Sequence, residues 1–298
     1  MPRTFLISHS DLPEISAAIA EQFPDLPREY SVEGFGWDNL MVRVGTDHVA
    51  RLPRRPEAIS AIEFELAWLE QAAQSLTVPV PHIVGKGSPF SDYSVPWTIN
   101  TWTAGIRGLS VPPEQRRSSA AELGRQLALL HRPAPRDAPE KPHRGGTLAQ
   151  RTYLTQPQIE RLPGQYSAVV PVWEQGLATR PYGGTPLWLH GDIHPGNYLL
   201  QDDHTLAGII DFGDVCQGDP AFDLATAWVS FDAAGREDFF GAYFESCREE
   251  TRLDQDLVPR AKGWAASAYV IAVLSSDLST PDFVDMAQWT MGQLLHEP

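Results

Sequence analysis

His190, Asp192 and Asn197 fall in the stretch LHGDIHPGNYLL (189–200) as H-x-D-x-x-x-x-N, and fourteen residues beyond Asn197 stands Asp211, in IIDFGD. Phosphoryl transfer is largely positioning and charge stabilisation. It needs a carboxylate at the attacking hydroxyl and oxygen ligands for Mg²⁺. An aspartate and an asparagine five apart on a short loop can face one cavity, Asp192 toward an acceptor hydroxyl and Asn197 toward a metal. Asp211, at the end of the strand-like LAGII, would hold Mg²⁺ against nucleotide phosphates. Oxygen donors with no thiolate nearby suit Mg²⁺ and not zinc. Taken singly, HGD reads as a turn, DFG as a strand end with Asx-type bonding and Asn197 as a loop cap. Their order and spacing between apolar runs favour one shared chemical role. His190 is expected to bond the backbone and hold the loop, not to act as a base. His194, beside Pro195 and Gly196, reads as a turn residue.

These groups need elements to position them. LMVRV (40–44) and HVARL (48–52), separated by GTD, read as a hairpin. From Glu57 to Gln74 the period changes: Ile62, Leu66 and Leu69 recur at helical spacing after Pro56, a residue tolerated at a helix start. VPVPHIVG and VPWTINTW look like two further strands. From about 114 the signals are mostly helical, over 114–131, 147–162, 166–179, 220–233, 236–251, 258–275 and 282–295. The exception is 187–213, where short β-like runs flank the motif. The architecture expected is a small sheet with one inserted helix, a linker near residue 104, and a helical region carrying one small hairpin.

A chain of 298 residues can bury one large core or two modest ones. The longest apolar run near the start is four residues, too short for a signal-peptide core, and no stretch approaches a membrane span, so no membrane partner and a cytoplasmic location are expected. Cys216 and Cys247 lack metal-like spacing and are expected to be reduced. The net charge of −15 argues against a nucleic-acid partner, since a polyanion is bound through lysine and arginine. It is unevenly spread: residues 181–298 hold 19 acids and 5 bases, whereas 105–180 hold 6 and 11. That bias suits a cationic ligand, and equally a surface kept soluble by charge.

The segments LHGDIHPGN, IIDFGD and GDPAFDLATAW, preceded in order by GWDNLMVRVG, VARLPRR, EFELAWL and VPWTINTW, resemble those of the aminoglycoside phosphotransferases. That family is similar in fold to protein kinases, and the resemblance covers nearly the whole chain. It implies an α+β, bilobal protein-kinase-like fold. Residues 1–104 would form a small β-rich nucleotide-binding lobe with one inserted helix. Residues 105–298 would form a larger, mainly helical lobe with the catalytic loop and the acceptor site. Matched position by position, Asp192 falls on the catalytic aspartate, and Asn197 and Asp211 fall on the metal ligands. Asp223 resembles the aspartate that braces the catalytic loop, and a simple helix N-cap accounts for it equally well. Only three lysines are present, Lys86, Lys141 and Lys262, and none lies where the family places its phosphate-binding lysine. Arg51 of VARLPR is the candidate, and arginine grips phosphate through a planar fork. Its partner is Glu65 or Glu63 of the following helix. Gly34 and Gly36 of SVEGFGWDN would give close backbone approach to phosphates. Backbone around Asn100, Thr101, Trp102 and Thr103 would hold the base.

The cofactors implied are Mg²⁺ and, as co-substrate, ATP or GTP, with the choice between nucleotides open. The acceptor implied is a small molecule, cationic if the acidic bias serves binding. An aminoglycoside-like antibiotic is the first expectation, with antibiotic resistance the consequence. The alternatives are a macrolide kinase, with Trp228, Phe231, Trp264 and Tyr269 as an apolar wall or simply as core, and a metabolic kinase of a sugar, amino alcohol or amino acid. A non-catalytic nucleotide-binding scaffold is the alternative from another class. Loss of catalysis normally removes a metal ligand or the aspartate, and here all three are retained.

Overall fold

A computed structural model describes residues 7–35 and 38–296. The chain divides into two compact units: Met1–Gln71 with Val80–Ala104 and Asp211–Asp214, and Ala72–Pro79 with Gly105–Ile210 and Val215–Pro298.

The first unit contains α1 (Leu12–Gln22), β1 (Tyr30–Phe35), β2 (Asn39–Val44), β3 (His48–Pro53), α2 (Pro56–Ala73, its last two residues counted with the second unit), β4 (Ile83–Gly87) and β5 (Trp97–Thr101). The strands form one antiparallel sheet in the order β1-β2-β3-β5-β4. One of its faces is apolar for the reason that period-2 alternation dictates. Leu40, Val42 and Val44 of β2, Ala50 and Leu52 of β3, and Trp97 and Ile99 of β5 form a core with Ile15 and Ile19 of α1. The alternate residues, Val49 and Arg51 opposite Asn100 and Thr98, occupy the other face. α2 begins on a proline, whose fixed φ suits a first helical position. Its buried stripe runs Ala58, Ile62, Glu65, Leu69 and Ala72, so a glutamate sits on an apolar face at helical spacing.

The second unit contains β6 (Ile106–Arg107), α3 (Ala120–Leu130), α4 (Leu148–Arg161), α5 (Val170–Leu177), β7 (Leu187–Leu189), β8 (Tyr198–Leu200), β9 (Leu206–Ile209), β10 (Cys216–Gly218), α6 (Ala221–Leu224), α7 (Thr226–Ser230), α8 (Ala233–Ser246), α9 (Glu249–Arg252), α10 (Leu257–Trp264), α11 (Ala272–Leu274) and α12 (Pro281–Leu295), with a π-helical stretch, Ala265–Ile271, joining α10 to α11. α3 packs along α8, closely enough that a Cβ on Gly124 would lie 2.2 Å from the Phe239 carbonyl. α4 starts on a capping box, Thr147 with Gln150.

The structure revises the expected elements in several places. A helix, α1, precedes the sheet in addition to the inserted α2. The helix expected over 220–233 is two short ones, and that over 236–251 starts earlier, at Ala233, because Asp232 caps it by accepting from the Gly235 amide at 2.8 Å. The expected small hairpin is present as β8–β9, extended by β6 into the sheet β6-β8-β9, and a second small sheet, β10-β7, adds to it. Their strands are two to four residues long, and two of the pairings join segments distant in sequence, β6 to β8 and β7 to β10, so periodicity carries no trace of them. Trp228, Phe231, Trp264 and Tyr269 are all core residues. Among the described residues no helix is long and apolar enough to cross a membrane, and both cysteines are free and buried.

Candidate active site

In the second unit the loop between β7 and β8 carries the H-x-D-x-x-x-x-N residues, and its shape is held from several sides. Gly191 adopts φ +80°, a conformation that a side chain would disfavour. The fully buried Asp223 carboxylate of α6 accepts from the His190 amide (2.7 Å) and the Gly191 amide (3.0 Å), and lies 3.2 Å from His131 Nε2. Asp223 makes no cap bond to its own helix, so the bracing role describes it and the N-cap does not. His190 fixes the loop through both ring nitrogens. Nε2 lies 2.9 Å from the Ile210 carbonyl, and Nδ1 accepts from the Asp192 amide at 3.2 Å. His194 closes the following turn, with Nδ1 accepting from the Gly196 amide (3.0 Å) and its carbonyl from the Asn197 amide (2.8 Å).

Three groups meet the Asp192 carboxylate. Arg144 Nη1 donates to Oδ1 at 2.5 Å and to the Gly191 carbonyl at 2.7 Å. Asn197 Nδ2 reaches Oδ2 at 3.4 Å while donating to the Asp192 carbonyl at 2.9 Å, and His194 Nε2 lies 3.7 Å from Oδ2. Burial pushes this carboxyl up, but the Arg144 guanidinium and His194 more than reverse it and hold it well below the usual carboxylate range. Asp192 is thus ionised at neutral pH, with Oδ1 occupied and Oδ2 the less engaged oxygen. Because the Asn197 amide nitrogen is committed to the loop, its Oδ1 is the atom left for a cation.

In the first unit, Arg51 Nη1 pairs with Glu65 Oε2, both side chains buried, and Nη2 lies 3.3 Å from Asp211 Oδ1. Glu65, and not the exposed Glu63, is the partner. Burial pushes the Glu65 carboxyl up against the pull of Arg51. Asp211 has a half-exposed side chain and φ +66°, an uncommon backbone conformation for a residue with a Cβ. Burial, with Asp211 and Asp214 adding to it, also raises the carboxyl of Asp38. Gly34 has φ +151°, and a Cβ there would meet nothing within 4 Å; Gly36 lies outside the described residues. Asn100 is 1% exposed and, among the described residues, neither of its amide atoms nor the buried Thr98 Oγ1 finds a partner. Buried polar atoms without partners are costly, and such a pair on the face that carries Arg51 suits a polar ligand. Trp102 carries the Arg43 guanidinium over its ring at 3.9 Å. Among the described residues no three His, Cys, Asp or Glu side chains converge as a ready-made metal cage. Mg²⁺ is commonly bound through one or two carboxylates together with substrate phosphates, and the half-exposed Asp211 offers one such carboxylate.

The structure therefore gathers Arg51, Glu65 and Asp211 in one unit, and Asp192 and Asn197 in the other. Arg144 escaped the sequence reading because an arginine in PHRGG, 48 residues before its partner, has no distinguishing spacing.

Over residues 33–254 the chain matches the model of the phosphotransferase enzyme family, and it belongs to that family. It is accordingly a small-molecule kinase. Among solved structures, it is similar to the GDP complex of wild-type aminoglycoside 2'-phosphotransferase-IIIa, at 19% identity and TM-score 0.68, with 96% of this chain and 98% of that one covered. It is similar also to a macrolide 2'-phosphotransferase from Brachybacterium faecium, at 22% identity and TM-score 0.66, covering 97% and 99%. Macrolide 2'-phosphotransferase type I matches at 19% identity and TM-score 0.63, covering 98% and 99%. At these identities the likeness is one of fold, the α+β protein-kinase-like architecture expected from the sequence. No curated protein sequence matches the chain.

Proposed function

We propose that this chain transfers the γ-phosphoryl group of ATP or GTP to a hydroxyl of a small polycationic acceptor of the aminoglycoside type. The observation that carries the reading is the ionised Asp192 carboxylate, fixed at one oxygen in a loop braced from below by a buried aspartate. Such a carboxylate accepts the acceptor's O–H and aligns its oxygen for in-line attack. The acceptor oxygen bonds to the γ-phosphorus, the bond to the bridging oxygen breaks, the nucleoside diphosphate departs and the hydroxyl proton passes to Asp192. Asn197 and Asp211 would hold Mg²⁺, which neutralises phosphate charge when bound. Arg51, kept in place by Glu65, would meet the phosphates, as would backbone at Gly34 and Gly36. The base would lie along Asn100, Thr101, Trp102 and Thr103, a placement supported by the unpartnered amide of Asn100. Retention of all these groups speaks against a non-catalytic scaffold.

The acidic bias of residues 181–298 favours a cationic acceptor. A macrolide is the second reading. It is favoured by the partly exposed Phe283 ring, which packs edge-on (5.4 Å) against the buried His194 beside Asp192. Incubating the purified protein with Mg²⁺ and ATP or GTP against aminoglycosides, macrolides, sugars and amino alcohols tests the proposal. Phosphorylation of an aminoglycoside, with a KM that rises with salt over the range where screening sets in at roughly 8–10 Å, is the expected result. Transfer only to neutral acceptors or macrolides would overturn the acceptor class.

A further inference from the structure

Arg144 belongs to none of the family-like segments, yet it makes the shortest contact to Asp192. Its position is built by the chain on both sides. The turn that carries it is closed by the Arg144 and Gly145 amides donating to the Lys141 carbonyl at 2.9 and 2.8 Å. On one side the His143 carbonyl accepts from Arg151 Nη1 at 2.6 Å, and Arg151, itself buried, is held through Nε by Ser267 Oγ at 2.9 Å. On the other, the Gly145 carbonyl accepts from the Asp219 amide at 3.0 Å. Gly145 and Gly218 approach so closely that a Cβ on Gly218 would stand 1.9 Å from the Gly145 carbonyl oxygen. Asp219 is locked by Arg260, through Nε at 2.7 Å and Nη2 at 3.1 Å, and Arg260 in turn by Asp254.

The segment from Gly218 to Asp223 thus holds the catalytic loop by two arms. Asp223 grips its backbone at His190 and Gly191, and the Gly145 contact delivers the Arg144 guanidinium to its carboxylate. On the far oxygen, among the described residues, only the longer approaches of Asn197 and His194 remain. We infer that Arg144 is a positioning residue for phosphoryl transfer: by bridging Asp192 Oδ1 and the Gly191 carbonyl it fixes the carboxylate so that Oδ2 faces the acceptor hydroxyl. This rests on the assignment of Asp192 proposed above. With the neighbours of Arg144 already fixed, its two hydrogen bonds cost little ordering on binding, which is what preorganisation of a reactive group requires.

The test is a double-mutant cycle. Arg144→Gln, Arg144→Lys, Asp192→Asn and the pair Arg144→Gln with Asp192→Asn are assayed in the full chain. Two reactions are followed: transfer to whichever acceptor the panel identifies, and hydrolysis of MgATP by water, which needs no acceptor. Arg144→Gln should lower kcat about 100-fold, the scale of a misplaced catalytic group, and leave the nucleotide KM within about 2-fold. Arg144→Lys, which keeps the charge without the fork, should recover part of the loss. In the Asp192→Asn background the same Arg144→Gln change should cost less than about 3-fold, because the ionised carboxylate that Arg144 positions is gone. Equal losses in both backgrounds, or a kcat for Arg144→Gln within about 2-fold of the parent, would overturn the inference. Full activity in Asp192→Asn alone would instead remove the assignment of Asp192 on which it stands.

Discussion

Replacing Asp223 by alanine separates a braced catalytic loop from a capped helix. The carboxylate is fully buried and accepts two backbone N–H bonds, from His190 and Gly191, while facing the His131 imidazole, whose other nitrogen lies 2.9 Å from the Tyr243 hydroxyl. Alanine leaves both amides buried without an acceptor. At about 1–3 kcal/mol for each orphaned group, with a small cavity added, the loss is about 3–6 kcal/mol. Removing an ordinary N-cap would cost only about 1 kcal/mol. Native domains are stable by about 5–15 kcal/mol, so the variant should fold at 15 °C and be marginal at 37 °C. Urea titrations followed by tryptophan fluorescence give the stability, and kcat measured at 15 °C gives the effect on the loop. Asp223→Asn, which keeps one acceptor oxygen but turns an NH₂ toward an N–H donor, should fall between parent and alanine in both measures. A loss near 1 kcal/mol in Asp223→Ala with kcat unchanged would refute the bracing argument.

Arg51→Ala strands the buried Glu65 carboxylate, which should cost about 3–5 kcal/mol by thermal unfolding and raise the nucleotide KM at least about 10-fold; Arg51→Lys should be intermediate in both. The Asp192 carboxyl is depressed in the folded chain. Its contribution to stability is therefore present above the ordinary carboxylate pKa of about 3.9 and lost only as pH falls below that value. The kcat/KM profile should accordingly show no Asp192-dependent decline between about pH 8 and pH 5; an acid limb near pH 6 that moves in Asp192→Glu contradicts this. Asn100→Leu removes a buried amide that has no partner among the described residues, so its unfolding midpoint should hold or rise while the nucleotide KM increases; an unchanged KM for both ATP and GTP places the base elsewhere.

Much of the candidate site is legible in the sequence because its residues are local. Asp192 and Asn197 share one loop, and Asp211 follows the short strand-like run LAGII. The β2–β3 hairpin and α2 are legible for the same reason, one period each over five or more residues. Even the choice of Glu65 over Glu63 is implicit in the helical stripe, since Glu65 falls in register with Ile62 and Leu69 whereas Glu63 does not. What escapes is whatever depends on distant pairing. Arg144 reaches Asp192 across 48 residues, Arg260 reaches Asp219 across 41, and β7 pairs through its backbone with β10, three-residue strands too short to show a repeat. The sequence leaves the bracing by Asp223 level with an N-cap for a related reason: an aspartate near a helix start has a cheap local explanation, and only the His190 and Gly191 amides 32 to 33 residues away replace it.

The central claim, that the Asp192 carboxylate directs phosphoryl transfer, is tested most directly by single-turnover transfer from radiolabelled ATP in Asp192→Asn, alongside titration of a fluorescent nucleotide. The substitution keeps the side chain's shape and removes its charge. The expected result is a transfer rate lower by about 10²–10⁴-fold with the nucleotide Kd within about 2-fold of the parent. Transfer at the parental rate with nucleotide binding intact would contradict the account.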